Sequence, residues 1–401
     1  MGQPVKKNII KIHGDLIKEN ETKTLLVDGS SLLFTSLVDD KINSDGVHYG
    51  GVFQFLLQLR IQLTKRQFDK IVVTFDDEFS GVLRYNLYHE YKSNRDKHYE
   101  DYAVSDYMKQ FNENLKSLQN HIFNKKKKNG EIKPDKQKSD WEKFIDENFS
   151  RERDVLCECF NELCIRWHMD EVCEGDDLIS YYCKNKKKNE KILIISSDMD
   201  LTQLLGDDII IYNQVKKLYI SNINFTKTFG YNYENTLVKK IFCGDVSDNI
   251  GNIKGLSENG LFEMMPEMKT RKVTIDEVKE RAQQLINERI ENKKKPLQVH
   301  ENIINGVSNK HYDGDFYEIN RLIVDLTNPI ITDEAKAEMD GILDMPLDTT
   351  DRSLKNLIKL LYEGGIEELY GDTKCATFFA PFKRIMDKEN ERYNNYISLK
   401  N

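Results

Sequence analysis

Four short runs of aliphatic and β-branched residues set the frame of this chain: 24–30 (TLLVDGS), 70–77 (KIVVTFDD), 191–198 (KILIISSD) and 209–213 (IIIYN). They lack the polar alternation of a strand with one wet face, so they read as strands covered on both sides. Amphipathic stretches lie between them. Val52, Phe55, Leu56, Leu59 and Leu63 share one helical face, and Leu156, Cys159, Phe160 and Leu163 share another. A shorter strand is expected near residues 164–169, ahead of a helix beginning at GDDLISYYCK. Such alternation predicts an α/β fold with a mostly parallel central sheet flanked by helices.

Three of these runs end on acid: Asp28, then Asp76 with Asp77, then Asp198 with Asp200. EGDDLI places Glu174, Asp176 and Asp177 at a helix start, where the helix dipole tolerates negative charge. GDVSDN adds Asp245 and Asp248. One Asp after a strand is ordinarily a turn former or a helix cap. Acid in five separate motifs is harder to assign that way, because open parallel sheets build their sites at the carboxyl ends of strands. Up to nine of these ten carboxylates converging on one edge would repel one another and take up protons unless cations lay between them. An all-oxygen donor set favours Mg²⁺ or Mn²⁺. Two ions about 3.5–4 Å apart would use this many ligands and suit in-line displacement at a phosphodiester.

The rest of the chain divides by composition. Residues 1–21 form an N-terminal extension, 22–230 carry the strands, and 231–401 are helical in character. Within the second segment, residues from about 85 to 150 are polar and rich in Lys and Tyr; helices are expected to about His121, followed by a mobile basic loop around NKKKKNGEIKPDKQKSD (124–140). Residues 294–315 read as a connector, and Leu354, Leu357, Ile358 and Leu361 share a helical face. The net charge of −8 argues against a general nucleic-acid coating protein. Charge is nonetheless segregated, with basic blocks at Lys125–Lys128 and Lys186–Lys188 and a basic, Tyr-rich stretch over 84–97. Seven cysteines without a C-x-x-C pair read as reduced, buried thiols rather than a zinc site. No run approaches the roughly 20 apolar residues of a membrane span, and no signal core opens the chain, so a cytoplasmic location is expected.

Taken in order, LLVDGSSLLF, IVVTFDD, YKSNR, EGDDLI, SSDMDLTQLL and GDVSDNI resemble the motif series of the flap endonuclease/5′-nuclease superfamily. Within it the pattern is most similar to the ribonuclease H branch of T-even bacteriophages. The resemblance covers roughly residues 22–330. It implies a PIN-like catalytic domain over 22–230 with a helical arch, and a helical C-terminal domain over 231–401 with a degenerate helix–hairpin–helix element at 241–266. It implies a 5′ to 3′ exonuclease or flap endonuclease that removes RNA primers and 5′ flaps in phage DNA replication, leaving a 5′-phosphate. Asp28, Asp76, Glu174, Asp176, Asp177, Asp198, Asp200, Asp245 and Asp248 would hold two Mg²⁺ ions, with Mn²⁺ as a substitute. The Asp28, Asp76, Glu174 and Asp176 group would serve the tighter ion; Asp198, Asp200 and Asp248 would lie nearer the second.

Lys92 and Arg95, in YKSNR, would contact phosphate beside the reacting bond, with Arg84 at the base of the arch and Tyr88, Tyr91, Tyr99 and Tyr102 offered to bases. Gly255 would belong to the hairpin that grips duplex backbone and, in the family, a K⁺ ion. Gly251, Asn252 and Ser257 stand where the family usually carries Pro, Gly and Gly. The implied partners are DNA and RNA–DNA hybrids with 5′ ends or flaps, and by analogy a single-stranded DNA-binding protein and a sliding clamp, for a monomer in the host-cell cytoplasm if the chain is phage-encoded. Two other readings stand beside this one: a PIN-like endoribonuclease cutting single-stranded RNA, and a non-catalytic structure-specific DNA-binding protein.

Overall fold

The computed structural model describes residues 22–93 and 139–400. The N-terminal extension, Arg95, Tyr99, Tyr102 and Lys125–Lys128 lie outside the described residues. No helix among those described is long and apolar enough to cross a membrane.

Strand β1 (Thr22–Asp28) runs into helix α1 (Gly29–Ser36), followed by α2 (Gly50–Lys65), β2 (Lys70–Asp76) and α3 (Val82–Leu87). The chain resumes with α4 (Asp140–Glu162), β3 (Arg166–Asp170), α5 (Gly175–Asn185), β4 (Glu190–Ile195), β5 (Ile209–Asn213) and β6 (Leu218–Ile220). The six strands form one sheet in the order β3-β2-β1-β4-β5-β6, parallel throughout except for the antiparallel β5–β6 pair. This is the mostly parallel sheet that the apolar runs predict. Asp28 and Asp76 are the last residues of β1 and β2, whereas β4 closes on Ile195, three residues before Asp198.

Alternation along β1 explains why its run is uniformly apolar. Leu25 and Val27 point into a core shared with α2 and α4, whereas Leu26 points into a second core shared with α5. Helix α4 starts at Asp140 under a capping box formed by Ser139 and Glu142. Helical structure therefore enters the stretch expected to be loop.

Helices α6 (Phe225–Phe229), α7 (Thr236–Cys243), α8 (Glu258–Met264), α9 (Ile275–Glu291), α10 (Gln298–Asn305) and α11 (Phe316–Val324) follow. Helix α10 falls inside the expected connector. From α7 onward these helices surround a third core built on Ile241, Phe242, Phe316 and Ile319, and Leu87, Tyr88 and Tyr91 from the first half of the chain are buried in it. The last elements are α12 (Asp333–Asp344), α13 (Leu354–Glu363), α14 (Asp372–Phe379) and α15 (Lys383–Lys400). Leu357, Leu361, Phe379 and Phe382 return to the core beside α2 and α4, so the end of the chain covers one face of the sheet. The six buried cysteines and the half-buried Cys243 are free thiols.

Candidate active site

The carboxyl ends of β1, β2 and β4 open on one cavity of about 200 Å³. Eight carboxylates line it: Asp28, Asp76, Glu174, Asp176, Asp198, Asp200, Asp245 and Asp248. They reach it from five chain segments, and hydroxyl and amide donors tie those segments together. Asp28 Oδ1 accepts from Ser31 N at 2.9 Å, capping α1, while Oδ2 accepts from Ser196 Oγ at 2.6 Å. Asp76 N donates to Ser30 Oγ at 2.8 Å, and Asp76 Oδ1 accepts from Gly175 N at 2.7 Å. Ser196 Oγ in turn accepts from Asp198 N at 2.9 Å, and Asp198 Oδ1 accepts from Asp200 N at 2.7 Å. Gly29 makes the first of these turns possible. A Cβ there would lie 2.6 Å from Phe75 Cε1 and 2.7 Å from the Thr74 carbonyl oxygen, so a side chain would push α1 off β2 and move Asp28.

Charge is distributed unevenly around the cavity. Glu174 sits against three donors: Arg84 Nη1 at 2.7 Å, Tyr91 Oη at 2.9 Å and Lys92 Nζ. Burial opposes its ionisation, yet Lys92 and then Arg84 hold its pKa down at about 2. Asp28 goes the other way. Burial lifts it to about 7, with the charges of Asp76 and Asp198 adding to the rise and hydrogen bonds from Ser196 and Ser31 opposing it. Asp176 is raised well above the ordinary carboxyl range, first by burial and then by Asp198, Asp28 and Asp76. Around Asp198, burial and then the charge of Asp200 lift the carboxyl to about 6, with the Asp200 N–H and the charge of Lys240 opposing the rise. On the far side, oxygens of Asp200, Asp245 and Asp248 lie within 4.8 Å of one another. Lys240 Nζ donates to Asp200 Oδ2 at 2.5 Å and also to Asp245 Oδ2.

Four expectations need correction. Asp177 does not line the cavity. It is 0% exposed, both of its oxygens accept from Arg84, and Oδ1 also accepts from Ile330 N at 2.9 Å. Arg84, expected at the base of the arch to meet phosphate, is only 3% exposed and is committed to Asp177, Glu174 and the Ile323 carbonyl. Tyr88 is 5% exposed and stacks on Tyr312, with ring centroids 4.6 Å apart and planes within 9°. Tyr91 is 2% exposed, with its hydroxyl on Glu174. Neither ring presents a face to a base. Lys92 does line the cavity; its backbone is left-handed at φ 52°, and its N–H donates to the Asp248 carbonyl at 2.9 Å.

Gly255 lies between α7 and α8 with φ +83°, a conformation that favours glycine. The segment between α7 and α8 is held by hydrogen bonds at Gly251, Asn252 and Ser257. Gly251 N donates to Tyr312 Oη at 2.9 Å, Ser308 Oγ donates to the Asn252 carbonyl at 2.9 Å, and Ser257 caps α8 by accepting from Gly260 N at 3.1 Å. Sequence reasoning passed over Ser30, Ser196 and Lys240. The serines were visible as SS pairs beside acids, and Lys240 as a lysine among the apolar residues of α7.

Residues 23–230 match the family model described as the 5′-3′ exonuclease N-terminal, resolvase-like domain, which is over half of the chain. A 5′-3′ exonuclease of Mycoplasmopsis pulmonis is 26% identical over 259 residues, 63% of this chain and 69% of that protein. DNA polymerase I of Borreliella burgdorferi is 36% identical over 109 residues, 25% of this chain and 11% of the polymerase. Among solved structures, the flap endonuclease of bacteriophage T5, in a pseudo-enzyme–product complex with DNA and metal ions, superposes with a TM-score of 0.53 at 16% identity, covering 85% of this chain and 99% of that one. The T5 5′-exonuclease with divalent zinc bound gives 0.50 at 15% identity over 86% and 97%. Both likenesses are of fold.

Proposed function

Because the chain belongs to the 5′-3′ exonuclease family through its N-terminal resolvase-like domain, we propose that it is a divalent-metal-dependent 5′-nuclease. It hydrolyses phosphodiesters near the 5′ end of DNA or RNA in duplex, flap or hybrid substrates, as primer and flap removal in DNA replication requires. The observation that carries this reading is the convergence of eight carboxylates on one cavity at the carboxyl edge of the sheet.

The residues suit divalent cations. The donors are carboxylate oxygens, the choice of Mg²⁺ and Mn²⁺ rather than softer metals. Asp200, Asp245 and Asp248 are spaced to share one ion. Asp28, Asp76 and Asp176 crowd together without an ion pair among the described residues, which supports a second. Two such ions would supply Lewis acidity toward the phosphoryl oxygens and toward an attacking water. Asp28, Asp76, Asp176, Asp198, Asp200, Asp245 and Asp248 would hold them. In this arrangement Glu174 has a different part. It anchors Lys92, and through Lys92 it sets the cation that meets the phosphate of the 5′ nucleotide. Lys92 N–H on the Asp248 carbonyl fixes that cation relative to the second ion's ligands.

Metal binding should be linked to protons. Asp28 and Asp176 have pKa values raised in the folded, metal-free chain. For Asp28 the favourable contribution is full below the ordinary carboxyl pKa of about 4 and is lost as pH rises through about 7; Asp176 shifts in the same direction. A divalent ion binds the ionised form and competes with those protons. The gain in melting temperature on adding Mg²⁺ should therefore grow between about pH 5 and pH 8. Differential scanning fluorimetry with EDTA or Mg²⁺ at each pH checks this; a gain that is flat or shrinks across that range removes the buried carboxyls from the metal site.

The function itself is tested by cleavage of a 5′-labelled flap duplex, a matched RNA–DNA hybrid and an unstructured RNA, in Mg²⁺ and in EDTA. Metal-dependent release of short 5′ products from the first two is expected. Preference for unstructured RNA would transfer the reading to a PIN-like endoribonuclease. Binding without cleavage would leave a structure-specific DNA-binding protein.

A further inference from the structure

Helix α7 points Val238, Ile241 and Phe242 into apolar packing, and Lys240 sits among them at 8% exposure. A lysine that deep needs charged partners to remain protonated. It finds two, Asp200 and Asp245, one through each Oδ2. Burial works against the ammonium, but these two carboxylates overcome it and raise its pKa above the ordinary lysine value. The same two residues, with Asp248, make the group whose oxygens are spaced to hold one ion. An ammonium and a divalent ion would thus draw on the same two carboxylates. On the other side of the cavity the lysine, Lys92, is held by Glu174, and among the described residues Asp28 and Asp76 accept from hydroxyls and backbone amides.

We propose that Lys240 is a tethered cation that neutralises Asp200 and Asp245 in the metal-free protein and competes with the second divalent ion for them. The inference rests on the two-ion reading above and assigns a cause, in this chain, for inequality between the ions. One ion enters Asp28 and Asp76, which no side-chain cation among the described residues holds. The other must displace an ammonium whose four-carbon stem has the freedom to swing aside.

Calorimetric titration of the whole protein with Mn²⁺ tests it without reference to catalysis. Wild type should resolve a tight and a weak phase. Lys240→Met keeps the stem and removes the charge; it should tighten the weak phase about tenfold or more and leave the tight phase unchanged. In EDTA the variant should melt below wild type, because Asp200 and Asp245 lose their counter-ion, and Mn²⁺ should restore it. Lys240→Arg should keep the weak phase weak. Should Lys240→Met fail to fold, Lys240→Gln retains an amide donor and carries the same measurement. A weak phase that is unchanged or further weakened in the uncharged variants overturns the proposal, since Lys240 would then orient the ligands instead of competing with the ion. A wild type that binds one ion only also overturns it. Failure of the nuclease reading would appear separately, as absence of cleavage by wild type at saturating Mn²⁺ whatever the binding phases do.

Discussion

Replacing Asp176 with asparagine is expected to slow cleavage by roughly a thousandfold and, in EDTA at pH 8, to raise the melting temperature above that of wild type. The two effects share one cause. Asp176 stands at the start of α5, where its carboxyl is raised well above the ordinary range by burial and then by Asp198, Asp28 and Asp76. With ions in place that crowding is attraction, and a neutral amide gives up one of the charges that hold them. Without ions it is repulsion, and the amide relieves it. Asn is close to Asp in volume, so no cavity offsets the relief. Steady-state cleavage, fluorescence anisotropy with an uncleavable flap duplex, and thermal melts in EDTA and Mg²⁺ separate the parts. Substrate affinity in EDTA should change little. Cleavage within tenfold of wild type would take Asp176 out of the metal site. A lower melting temperature in EDTA would mean that the carboxyl is satisfied without an ion.

The sheet was legible because β1, β2, β4 and β5 are buried on both faces, and double burial leaves each run a continuous apolar stretch of three or more residues. Leu25, Leu26 and Val27 belong to two different cores, yet all three are apolar. Strand β6 escaped notice because three residues at an antiparallel edge carry too short a pattern. The acids were legible as a group and not one by one. Asp176 and Asp177 are neighbours in the first turn of α5, about 100° apart around its axis, so one faces the cavity and the other faces inward. Nothing in EGDD says which; the partner that decides it, Arg84, lies 93 residues earlier. Tyr88 and Tyr91 misled for a related reason. A basic, tyrosine-rich stretch reads as an exposed nucleic-acid surface, whereas here the third core lies beneath it and takes both rings. Lys240 shows the converse, a charged residue on an apolar helix whose explanation arrives only with the fold.

Arg84→Ala is expected to be the most destabilising single change among the site residues, costing about 3–5 kcal/mol and lowering the melting temperature by about 4–6 °C. The guanidinium satisfies three groups at once. Nε donates to the Ile323 carbonyl at 2.8 Å, Nη2 to Asp177 Oδ1 at 2.9 Å, and Nη1 to both Glu174 and Asp177. Removing it strands Asp177, which is fully buried and whose pKa burial already raises despite the arginine. Lysine should not rescue the loss, because one ammonium cannot match a planar fork that reaches three acceptors in different directions. The paired change Arg84→Met with Asp177→Leu should recover much of it, since an apolar pair replaces a buried ion pair better than a lone charge does. Denaturant melts of the four proteins give the coupling energy directly. A single Arg84→Ala variant within about 1 kcal/mol of wild type would show that water reaches Asp177 and that the pair is a surface one. The expected large coupling would instead place Arg84 among the residues that hold α3, α5 and α11 around the cavity, leaving Lys92 as the described basic residue of YKSNR that lines it.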